Sequence, residues 1–153
     1  MSTRMRRLAS YHEAGHVLVS TVLGLRVDWS SCSAKGGRTI AQAASNDLHR
    51  AAVLWAGPAA ETLGDDVQSR LSWAAQPDYR ALRKLSQAWS NRGFELACSL
   101  VSEHERAVHA LAAHLEASWF LTGHRCRAII ADPSIPPRRA RRSDGVSVAE
   151  SFA

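Results

Sequence analysis

The chain of 153 residues is short of cysteine and of long apolar runs. Its three cysteines, Cys32, Cys98 and Cys126, are odd in number and widely spaced, with no Cys-x-x-Cys pair. That argues against a disulfide framework and against a cysteine-rich zinc site, and it points to a reduced, cytoplasmic protein. No apolar run reaches the roughly 18 residues that a membrane span needs. The basic start over residues 1–10 is not followed by the apolar core and small-residue cleavage site of a signal peptide. There is no nucleotide-binding Walker loop and no repeat of roughly 20–50 residues.

What is present is an ordinary globular mixture, 46% hydrophobic and 22% charged. The length suits one domain with a sizeable core. The formal charge of +5 invites a nucleic-acid partner, but its distribution does not. Residues 8–132 hold 12 basic and 12 acidic side chains. The excess sits at the ends, on Arg4, Arg6 and Arg7 and on Arg138, Arg139, Arg141 and Arg142. Nucleic-acid binding through these arginines is therefore the weakest of the readings.

The apolar spacing predicts a mainly α protein. Leu8, Tyr11, Gly15, Leu18 and Val22 recur at helical steps, so a helix is expected over 5–23, stopped by Gly24. Val27, Trp29, Thr39 and Ile40 around a Lys35-Gly36-Gly37 turn predict a hairpin or short strands. Ser45-Asn46-Asp47 offers an N-cap for a helix over 48–63, broken by Gly64-Asp65-Asp66. Pro77 opens a further helix through Leu82, Leu85 and Trp89, ended by a turn at Asn91-Arg92-Gly93. One long helix over 95–118 follows, and a short one after Thr122-Gly123. A domain over 1–132 is expected, and the basic, proline-rich stretch over 133–153 is expected to be a disordered tail.

Residues 12–16 read His12-Glu13-Ala14-Gly15-His16. Positions i and i+4 share a helix face, so both imidazoles can bind one metal. Catalytic zinc takes three protein ligands and keeps one position open. Glu13, next to the first ligand, is placed to take a proton from a water activated there. By itself the five-residue pattern does not separate a metal site from a chance match. Gly15 adds weight, because a mid-helix glycine costs roughly 1 kcal/mol against alanine and implies a close neighbour.

Tyr11-His12-Glu13-Ala14-Gly15-His16 resembles the Y-H-E-A-G-H segment of the FtsH-type protease peptidase domain. Ala56-Gly57-Pro58-Ala59-Ala60-Glu61 resembles that family's G-G-R-A-A-E segment. The stretch from Ala75-Gln76-Pro77-Asp78 to Leu82 resembles its G-A-S-N-D-L segment, and Leu121-Thr122-Gly123 its closing element. The resemblance covers about residues 8–131. It implies a helical zinc peptidase domain with His12 and His16 as ligands, Glu13 as catalytic base and Asp78 as third ligand. It also implies Glu61 as a supporting residue beside the site. Pro58 in place of arginine and Gln76-Pro77 in place of Ser-Asn depart from the family pattern. The ATPase domain and membrane anchor of family members are missing from these residues. The expected substrates are thus unfolded chains or peptides, cleaved without ATP, with a separate unfoldase or self-association as the open partners.

Without the resemblance, Asp78 reads first as a first-turn carboxylate favoured by the helix dipole, and only second as a ligand. Asp47 and Glu61 are rivals for the third ligand position. His49, His104, His109, His114 and His124 lack the i, i+4 spacing and are read as surface or half-buried. Tyr11 is read as packing, with a carbonyl-polarising role as its rival. Trp55, Trp73, Trp89 and Trp119 are read as core or groove packing. The strand around Trp29 could accept an extended substrate as an added strand. The alternative to a peptidase is a catalytically silent zinc-binding adaptor that keeps the fold.

Overall fold

The computed structural model describes residues 3–33, 35–64 and 76–138. Among these residues the protein is mainly helical, with a small antiparallel sheet. Helix α1 (Thr3–Val22) leads into the hairpin β1 (Val27–Ser33) and β2 (Gly36–Ala41). Helices α2 (Asp47–Gly64), α3 (Gln76–Leu82), α4 (Gln87–Glu103) and α5 (Glu105–Ser118) follow, then β3 (Phe120–Thr122) and α6 (Gly123–Ala131). No helix among the described residues is long and apolar enough to cross a membrane.

The core forms around α1, which packs against α2, α5 and the hairpin. From Ala9 to Ser20 every residue of α1 is buried except His16, which is partly exposed. Gly15 sets the distance to α2. A Cβ there would stand 2.2 Å from the Ala56 carbonyl oxygen and 2.7 Å from the Ala60 Cβ. The two helices therefore touch backbone to backbone, and small residues on both sides make that possible. Gly24 ends α1 at φ +76°, a conformation glycine adopts without strain. Asn46 caps α2, its Oδ1 accepting the His49 N–H at 2.8 Å. Thr122 caps α6 in the same way, accepting the Arg125 N–H at 3.3 Å.

The hairpin forms where the sequence places it, but a third strand joins it. The sheet order is β2-β1-β3, so β1 is central. Trp29 pairs with Ile40 on one side and Thr122 on the other. Trp29 thus lies away from any free edge, and its ring sits 5.9 Å from that of Phe120. The outer strands of the sheet are β2 and β3. The three residues of β3 are too few to carry a periodic signal.

Two helix boundaries also differ from expectation. The single helix over 95–118 is interrupted at His104, whose φ of −116° and ψ of 28° are not helical. Its N–H closes α4 on Leu100, and its carbonyl accepts from Ala107 and Val108 to start α5. The apolar spacing runs through the break, but α4 packs on α2 and α5 packs on α1, so the chain must change direction. The expected turn at Asn91-Arg92-Gly93 lies inside α4, because Gly93 fits against Ala51 of α2. The real break precedes Ser86, which caps α4 by accepting the Trp89 N–H at 3.3 Å.

Several side chains lie elsewhere than expected. His114 is buried, and its Nε2 donates to the Ile135 carbonyl at 2.9 Å, tying residues after α6 back onto α5. Trp119 is exposed, at the left-handed end of α5, with the Arg6 guanidinium 4.0 Å from its ring centre. Trp55 does pack, against Tyr79 and Phe94, and donates to the Ser90 hydroxyl at 3.2 Å. All three cysteines are free thiols, and burial pushes Cys126 up to about 12. Asp65, Asp66, Trp73 and residues 139–153 lie outside the described residues.

Gly15→Ala should force α1 and α2 apart. We expect a loss of about 1–3 kcal/mol or more in chemical denaturation, where an exposed helical glycine would gain stability from the same change.

Candidate metal centre

Three side chains from two helices meet at one point. His12 and His16 lie one turn apart on α1, and Asp78 comes from the first turn of α3. The distance from His12 Nε2 to His16 Nε2 is 3.0 Å. Asp78 Oδ2 stands 3.0 Å from His12 Nε2 and 3.2 Å from His16 Nε2. The three could hold a metal ion.

The outer nitrogens decide what these atoms present to one another. His16 Nδ1 lies 2.8 Å from the Val53 carbonyl oxygen, which can only accept, so Nδ1 carries the proton. His12 Nδ1 lies 2.7 Å from Glu61 Oε1 and donates to that carboxylate. In the neutral imidazoles both Nε2 atoms are then bare lone pairs. Two lone pairs and a carboxylate oxygen converge within hydrogen-bond distance, with no hydrogen between them. Only positive charge relieves that arrangement. Where a proton supplies it, His12 takes the charge. Burial opposes this, but hydrogen bonds to Asp78 and Glu61 and the charges of Glu13 and Glu61 prevail, raising its pKa to about 9. Burial likewise opposes ionisation of Asp78, yet hydrogen bonds to both histidines hold it at about 2.

The donor set fits a tetrahedral cation. Ligand atoms around zinc at about 2.0–2.1 Å stand about 3.3 Å apart, close to the separations here. Two imidazole nitrogens with one carboxylate oxygen is a ligand chemistry that zinc accepts. Holding each imidazole by its outer nitrogen fixes ring orientation and tautomer, as ligating histidines generally require.

The close contact of α1 with α2 produces these supports. Gly57 of α2 lies against the His12 ring, where a Cβ would come within 2.4 Å of Cε1. Glu61, one turn on, reaches Nδ1. Glu61 is thus brought to the site as a support for His12 rather than as a member of the three-atom group. Asp47 is not a member of the group. Its carboxylate is half exposed and pairs with Arg50 at 2.8 Å. Tyr11 points to α5, where its hydroxyl meets His109 Nδ1 at 2.7 Å. That hydroxyl is committed to packing.

Glu13 is buried beside the group and takes a hydrogen bond from the Thr39 hydroxyl at 2.6 Å. A cleft of about 630 Å³ opens in front, floored by His12, Glu13 and His16 and walled by β2 and α2. Arg38 and Arg50 line it, and so does Ser20, whose buried hydroxyl has no partner among the described residues. The Val53 carbonyl, Gly57 and Thr39 were not legible as site residues. Gly57 lies inside a motif that gives it no role of its own, and the other two depend on tertiary placement alone.

Comparison with known proteins returns no matching family model and no matching curated relative.

Wild-type protein should bind one divalent zinc, measured by titration against a chromophoric chelator. His12→Ala, His16→Ala and Asp78→Ala should each abolish stoichiometric binding, and Asp47→Ala should not change it. Glu61→Gln should weaken it by about 10- to 100-fold.

Proposed function

We propose that the protein is a zinc-dependent metalloendopeptidase with an FtsH-like peptidase fold, hydrolysing peptide bonds in unfolded polypeptides or peptides. The observation that carries this reading is the convergence of His12, His16 and Asp78 with Glu13 buried beside them at the floor of an open cleft. A purely structural zinc site is closed by four protein ligands. Here the group has three members and faces a cleft, and a carboxylate stands by.

When bound, the zinc supplies Lewis acidity, polarising the scissile carbonyl and making a water beside it more acidic. The chain's own residues do the rest. Glu61 and the Val53 carbonyl hold His12 and His16 by Nδ1, which leaves each Nε2 turned to the place the metal would take. Glu13 accepts the proton of the attacking water and returns it to the leaving amine. The outer edge of β2, whose Gly37, Arg38 and Thr39 line the cleft, can pair with an extended substrate main chain. Such pairing reads backbone rather than side chains, which suits unfolded chains in general, whether free or delivered by a separate unfoldase.

A catalytically silent zinc-binding adaptor would need the three ligands but not Glu13. Glu13→Gln therefore separates the two. It should retain zinc and lose peptidase activity on an unfolded protein such as reduced casein by about 10²- to 10⁴-fold. Chelation should abolish activity and zinc should restore it. Zinc binding without chelator-sensitive cleavage would favour the adaptor.

A further inference from the structure

Strand β2 reaches Glu13 through Thr39 and Gly37, and it treats the two carboxylate oxygens differently. Thr39 Oγ1 lies 2.6 Å from Glu13 Oε2. A carboxylate accepts, so Thr39 donates its single proton there. Ser30 Oγ lies 2.9 Å from Thr39 Oγ1. With the Thr39 proton already used, Ser30 must be the donor in that bond. Ser30 is fully buried, and it faces Thr39 as its cross-strand partner in the β1–β2 register. The chain of hydroxyls thus has one direction, from Ser30 through Thr39 to Oε2.

The other oxygen takes no hydrogen bond among the described residues. Gly37 lies against the Glu13 side chain, where a Cβ would stand 2.3 Å from Cγ and 2.6 Å from Oε1. Any side chain at position 37 would sit on that atom. Two residues apart on one strand, Thr39 fastens one oxygen and Gly37 spares the other.

We propose that Thr39, backed by Ser30, is a positioning residue for Glu13, reserving Oε2 so that Oε1 alone exchanges protons in the cleft. The catalytic meaning rests on the metallopeptidase reading above, whereas the placement of Glu13 is a property of the fold and can be read without any activity. The hairpin then has two duties, to line the cleft and to aim the base.

The test compares Thr39→Val, Thr39→Ser and Ser30→Ala in the full chain. Zinc stoichiometry, melting temperature, kcat and KM on an unfolded-protein substrate, and crystal structures of the zinc-loaded variants are the readouts. Thr39→Val should keep its zinc and its KM but lose kcat by about 10- to 100-fold, as expected for a misplaced group. Thr39→Ser should restore most of kcat. Ser30→Ala, which removes only a neutral hydrogen bond, should lose about two- to tenfold. In the crystals the Glu13 carboxylate should move in Thr39→Val and stay in Thr39→Ser. A Thr39→Val protein that melts earlier but keeps kcat and the Glu13 position would overturn the proposal, leaving Thr39 as a structural tie. If the wild type binds zinc and cleaves nothing, the peptidase reading fails. The crystal comparison then still decides whether Thr39 places Glu13.

Discussion

The backbone contact between α1 and α2 at Gly15 and Ala56 is the constraint on which the site depends. Only at that spacing can the Val53 carbonyl reach His16 and the Glu61 carboxylate reach His12. Gly57 belongs to the same economy of space, since the His12 ring occupies the room a side chain would need. The mid-helix glycines, which weaken isolated helices by roughly 1 kcal/mol each, are thus the means by which one helix supports the ligands of the other. Stability and function share a single surface here, so a change that widens the helix pair would disturb both.

Fixing the outer nitrogens has an electrostatic consequence. It turns two histidines and an aspartate into three electron-pair donors pointed at one another, an arrangement that requires positive charge. A proton meets that need partly, on His12, whose pKa is raised to about 9 beside the ionised Asp78. A divalent cation would engage all three donors at once and carry twice the charge. The hairpin adds the remaining piece from the other side of α1, through Thr39 on Glu13. Helices hold the proposed ligands and the strand holds the proposed base.

Much of this was legible in the sequence because local rules govern it. The His12-to-His16 spacing follows from helix geometry, and the cap at Asn46 and the stop at Gly24 follow from side-chain and backbone chemistry. Asp78 could be singled out only through motif order, and from the residues alone its helix dipole explanation came first; the fold brings it to the histidines. The break at His104 was hidden because apolar spacing continues across it. Strand β3 was too short to register, and the sheet order that places the Trp29 strand in the centre depends on it. Thr39 and the Val53 carbonyl were invisible for a different reason. A threonine in a strand and a backbone oxygen in a helix carry no signal until tertiary structure gives them partners.

The central claim is that His12, His16 and Asp78 together bind zinc. Zinc-edge anomalous diffraction from crystals of the zinc-loaded protein tests it most directly. The account predicts one ion, bound by Nε2 of His12, Nε2 of His16 and a carboxylate oxygen of Asp78, with Glu61 still on His12 Nδ1. An ion bound elsewhere, or no ordered zinc between these three side chains, would contradict it.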